Sequence, residues 1–175
     1  VAVVLGLGGG VRNVVTDRTQ GGDVARLISA RARPGDVVVS CPDQLSPSVH
    51  RVLRGDLVEL PFPSGEMPGR VDWVDYEQRN DAADPEAFAD DALRLAQGRG
   101  LWLVFATGYR TFEGKCEALM AHLSVERPPG TQLVEADPDR YERLGLVRFP
   151  APGVDTTATA DPGTLGREPP RAGRG

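Results

Sequence analysis

Two short segments carry the side chains best suited to chemistry. Cys41-Pro42-Asp43-Gln44 offers a carboxylate and an amide. Thr107-Gly108-Tyr109-Arg110-Thr111, followed by Lys115, adds a phenol and two cations. Each follows an apolar run that reads as a strand: DVVVSC at Asp36 to Cys41, and LWLVFA at Leu101 to Ala106. In open α/β sheets, ligands bind beyond the carboxyl ends of strands, and helix N-termini there favour anions. Asp43, Gln44, Tyr109, Arg110 and Lys115 are therefore the candidate ligand-binding residues of a small anionic or sugar-phosphate pocket. The plainer reading is loop chemistry, with Asp43 a turn residue and Arg110 paired with a local acid.

Other chemistries find less support. The chain has two cysteines, Cys41 and Cys116, and two histidines, His50 and His122, so a four-cysteine zinc site and a His-rich metal site are excluded. Cys41 ends one strand and Cys116 sits on the apolar face of the helix after another. Were those strands neighbours, the sulfurs would meet. That would make a structural disulfide in an exported domain, or two buried thiols in a cytosolic one. Asp72, Asp75, Glu77, Asp81, Asp84, Glu86, Asp90 and Asp91 make the middle acidic. They lack calcium-loop spacing and read as a solvated face. No G-x-S-x-G, P-loop, H-E-x-x-H or C-x-x-C is present. A net charge of −5 argues against nucleic acid as a partner.

The elements that must position these residues follow from periodicity. Asp23 to Arg33 places Val24, Leu27, Ile28 and Ala32 on one helical face, and Pro34-Gly35 stops it. Ser46-Pro47 starts a helix to about Leu53. Leu57 to Leu60 and Val71 to Tyr76 read as strands. Asp84-Pro85-Glu86 opens a helix that turns Phe88, Ala92, Leu95 and Ala96 inward. The unbroken apolar run from Leu101 reads as a central strand covered on both faces. Thr111 caps a helix with Phe112, Cys116, Leu119, Met120 and Leu123 on its apolar face. Gln132 to Ala136 and Leu146 to Phe149 are the last strands, candidates for an antiparallel edge. The expected fold is α/β: a mostly parallel, Rossmann-like sheet with helices on both faces over residues 16–150. The tail, residues 151–175, is rich in Pro, Gly, Thr and Ala and is expected to be disordered.

The first residues, VAVVLGLGGGV, leave three readings open. They are half of the roughly 20 residues a membrane span needs, and so the end of a truncated transmembrane helix over residues 1–15. Alternatively they form a buried strand with a glycine turn. As a dinucleotide fingerprint they lack the third glycine.

A glycine-ended apolar helix leading into VRNVVTDRTQGGDVARLI, then RPGDVVVSCPDQLSPSV and LWLVFATGYRTFEGKCEALMAHL, resembles the C-terminal extracytoplasmic part of bacterial multispanning GT-C type glycosyltransferases, mannosyltransferase-like enzymes. The resemblance spans about Val1 to Pro150. It implies a parent enzyme of the cell membrane that uses a polyprenyl-phosphate sugar as donor. Its catalytic acid lies in an early loop that this chain does not contain, so no catalytic residue carries over. This domain would then be accessory, with the membrane and a lipid-linked sugar as partners and no cofactor of its own. The oxidising compartment so implied would pair Cys41 with Cys116. The alternatives are a free-standing nucleotide- or cofactor-binding α/β domain, and a scaffold that binds a partner through its acidic middle.

Overall fold

A computed structural model describes residues 18–107 and 114–153. The membrane-helix end expected at residues 1–15, the cap expected at Thr111 and the tail expected beyond residue 153 lie outside them. Within the described residues the order is α1 (Gly21–Arg31), β1 (Val37–Cys41), a 3-10 turn (Asp43–Leu45), α2 (Ser46–His50), β2 (Val58–Pro61), α3 (Tyr76–Ala82), α4 (Pro85–Ala96), β3 (Leu101–Phe105), α5 (Lys115–Glu126), β4 (Thr131–Val134) and β5 (Gly145–Phe149). The strands form one sheet in the order β2-β1-β3-β5-β4. β2, β1 and β3 are parallel, whereas β5 runs antiparallel to both β3 and β4. The fold is thus mixed α/β, with its antiparallel part on one side.

The period of two along each strand sorts the core into two layers. Val37, Val39, Leu101 and Leu103 share a buried cluster with Ala89, Ala92 and Ala96 of α4 and Leu119 and Leu123 of α5. Val38, Trp102, Val104 and Leu146 share the other with Val24, Ala25 and Ile28 of α1 and Val49 of α2. β3 lies in the middle of the sheet, and Leu101 to Val104 are fully buried. Its lack of polar alternation follows, because helices cover both sides.

α4 starts where its sequence dictates. The Asp84 carboxylate accepts from the backbone N–H groups of Glu86 and Ala87, at 2.9 and 3.1 Å, and Pro85 occupies the first turn. Its inward face differs from expectation. Ala89 is buried, whereas Leu95 is 41% exposed. Three alanines at i, i+3 and i+7 let the helix lie close to the sheet, so the larger Leu95 is left at the rim.

The expected strand at Val71 to Tyr76 does not form. Residues 72–75 make a turn in which Asp75 takes a left-handed φ of 50°, and α3 begins at Tyr76. Arg79 explains this: its guanidinium donates back to the carbonyls of Asp72 and Val74, curling the chain that would otherwise extend.

α1 packs on α2 through a glycine. A Cβ on Gly21 would lie 2.4 Å from Ser48 Oγ and 3.1 Å from the Ser48 carbonyl carbon. Backbone cannot yield as a side-chain tip can. Gly21→Ala is expected to cost about 1–3 kcal/mol in urea unfolding. A variant as stable as the parent would show that the two helices are not in register here.

α4 and α5 are also joined by charge. His122 Nε2 lies 2.7 Å from Asp90 Oδ1, and this hydrogen bond, with Asp90, Glu86 and Glu126 nearby, raises the imidazole pKa above its ordinary 6.5. A raised histidine pKa stabilises the fold fully below about 6.5 and ceases to do so as pH rises through the folded value. Asp90→Asn should therefore destabilise the protein at pH 6 and match the parent under alkaline conditions. Melting temperatures on both sides of neutrality check this, and equal offsets at the two ends would refute it.

Candidate functional site

Strands β1 and β3 are neighbours, with Cys41 opposite Phe105. The segments after Cys41 and Phe105 therefore leave the sheet side by side. From β1 the chain passes through α2 to β2 on one flank. From β2 it returns through α4, on the opposite face, to β3 on the other flank. Between β1 and β3 the connections diverge to opposite faces, the topology at which ligands of α/β sheets bind.

Asp43 lies just past the end of β1, on the β2 side, and is only 3% exposed. Its backbone N–H donates to the Phe62 carbonyl at 2.6 Å, which fixes it to the end of β2. Its carboxylate accepts from the Tyr76 hydroxyl at 2.5 Å, and Gln44 Nε2 donates to that same hydroxyl at 3.4 Å. Burial pushes the Asp43 carboxyl pKa up, against the hydrogen bonds from Tyr76 and Ser64 and the charge of Arg79. Burial and the adjoining carboxylate likewise push the Tyr76 phenol up, so it keeps its proton and acts as donor. Asp43 is thus no surface turn residue. It is a buried acceptor held by an aromatic hydroxyl.

The same turn that replaces the expected strand presents Trp73. Its ring is 64% exposed, and its centroid stands 4.9 Å from that of Tyr76. Arg79 holds the turn from beneath and also approaches the Tyr76 ring, at 5.9 Å. An exposed indole on a phenol that is itself held by a buried carboxylate and an amide is suited to a ligand with an apolar C–H face.

Of the five expected ligand-binding residues, Asp43 and Gln44 meet here. Tyr109 and Arg110 lie outside the described residues. Lys115 is engaged otherwise: its Nζ donates to the carbonyls of Asn80, Asp81 and Ala83, closing the C-terminus of α3. Cys41 and Cys116 form a disulfide that ties the end of β1 to the first turn of α5. Tyr76 and Trp73 were absent from the sequence candidates. Their signal was present, however: two aromatics within VDWVDY, in an acidic segment of a chain only 6% aromatic.

Among the described residues, no group of three or more His, Cys, Asp and Glu is placed to hold a metal ion, and no helix is long and apolar enough to cross a membrane. No protein-family model, curated protein or solved structure matches this chain.

Proposed function

We propose that this chain is an accessory extracytoplasmic domain of a membrane glycosyltransferase. The parent enzyme takes its sugar, mannose by the resemblance, from a polyprenyl-phosphate donor and performs catalysis in a membrane portion that precedes this domain. The domain's own task is to hold saccharide beside the end of β1, with Trp73 against the ring face, Gln44 toward hydroxyl groups, and the buried Asp43–Tyr76 pair fixing the aromatic platform from within. In this reading the β2-β1-β3 half is a Rossmann-like unit.

The observation that carries the proposal is the exposed Trp73 ring set against the buried Asp43–Tyr76–Gln44 network. The disulfide supports the compartment, since such bonds persist where the surroundings are oxidising. Tryptophan fluorescence tests it, because Trp102 is fully buried and Trp73 is open. Titration with mannosides should shift the emission of the parent and leave Trp73→Phe silent. No spectral change with any mannoside or mannose oligomer would remove the saccharide role. An upstream reading frame without hydrophobic spans would remove the membrane parent.

A further inference from the structure

On the opposite face from α4 and α5, α1 and α2 border a cavity of about 300 Å³. Arg18, Arg26 and Arg51 line it, with Gly22, Asp23 and Ser48. These three arginines come from three places: the segment before α1, the helix itself, and the turn after α2. They face a single carboxylate, on a chain whose formal net charge is −5. Such a local reversal of sign concentrates anions where the rest of the surface repels them.

The arginines are not consumed by the fold. Arg26 Nη2 pairs with Asp23 at 2.6 Å, which leaves most of its five donors free. Arg18 lies over the Tyr141 ring, 5.2 Å from its centroid, a contact that occupies the guanidinium face and not its N–H groups. Arg51 makes no side-chain hydrogen bond or ion pair among the described residues.

We propose that this cavity is a phosphate-binding site. Planar guanidinium forks match the oxygens of a phosphate in pairs, and the volume admits a phosphoester with its first substituent. The site is separate from the saccharide surface at Trp73 and does not depend on that reading. The phosphate would belong either to a soluble phosphorylated sugar or to a lipid headgroup.

The test uses the whole chain and inorganic phosphate at constant ionic strength, followed through the arginine side-chain N–H resonances. Saturable shifts are expected at Arg18, Arg26 and Arg51. Arg51→Ala should weaken the affinity about tenfold, for the loss of one charge-assisted contact. Arg31→Ala, at the other end of α1, should leave it unchanged. Arg51 is exposed, so its replacement should leave the melting temperature where it was. Shifts spread evenly over surface arginines without saturation, or an unaltered affinity in Arg51→Ala, would overturn the site. Phosphatidylcholine vesicles with and without phosphatidylglycerol distinguish the sources. An Arg51-dependent preference for the anionic vesicles assigns the phosphate to a lipid. Free phosphate binding without that preference assigns it to a soluble sugar phosphate. Either result upholds the cavity as the phosphate site.

Discussion

Replacing both cysteines by alanine is expected to lower the unfolding free energy by about 4 kcal/mol. The disulfide spans a sequence separation of 75. A closed loop of this length removes much of the unfolded chain's freedom, and cutting it returns that freedom to the unfolded state. Cys41 is fully buried and Cys116 is 2% exposed, so the empty sulfur positions add the cost of a small cavity in the α4–α5 layer. Domains of this size have only about 5–15 kcal/mol to lose. The double variant should therefore unfold at markedly lower urea concentration, and the parent in dithiothreitol should move toward it. Cys116→Ser alone should fare no better, because it leaves a thiol and a hydroxyl facing one another among apolar groups. A midpoint unaffected by reductant would mean that the bond contributes nothing to the fold.

Asp36→Ala should be nearly as severe, at about 3 kcal/mol. Asp36 is 3% exposed, at the start of β1. Its carboxylate accepts from the Gly100 and Arg33 backbone N–H groups at 3.0 and 3.1 Å, and from Trp102 Nε1 at 3.0 Å. Truncation leaves donors without an acceptor in the interior, which costs more than the hydrogen bonds gain. The indole N–H is the most exposed to loss, since Trp102 is fully buried and Asp36 is its acceptor. Asp36→Asn keeps one acceptor oxygen and should recover part of the loss. Because Asp36 lies at the opposite end of the strands from Asp43, saccharide and phosphate binding should survive in both variants under folding conditions. A cost below about 1 kcal/mol for Asp36→Ala would show that water or neighbouring groups take over these donors.

Asp36 also shows what could be read in advance. In the sequence it is the first letter of DVVVSC, and nothing local distinguishes a network hub from a strand's polar start. Two of its three partners are 64 and 66 residues away in the chain. Local signals fared better. The Asp84-Pro85 helix start and the apolar β3 run needed only propensity and capping rules. The exit of the chain from β1 was legible for the same reason, since it is anchored by its own strand. That the ends of β1 and β3 lie side by side required the strand order, which no local pattern encodes. Tyr76 was hidden more deeply. Alternation in VDWVDY favours extension, whereas the Asp72 carboxylate accepting the Val74 N–H and Arg79 reaching back to two carbonyls turn the segment and bring the phenol onto Asp43. Lys115 failed in the opposite way. Its charge suggested a ligand, whereas three backbone oxygens had first claim on it.

The flanks of the sheet carry one more consequence. β2 and β4 are each four residues long, while the most apolar strands, β1 and β3, are enclosed between neighbours. β2 ends in Pro61, which has no N–H to donate, and it carries Glu59. β4 is broken by a shift in register between Gln132 and Val134. Neither border is long or regular enough to template another molecule's strand, so concentrated folded protein should not polymerise through backbone pairing.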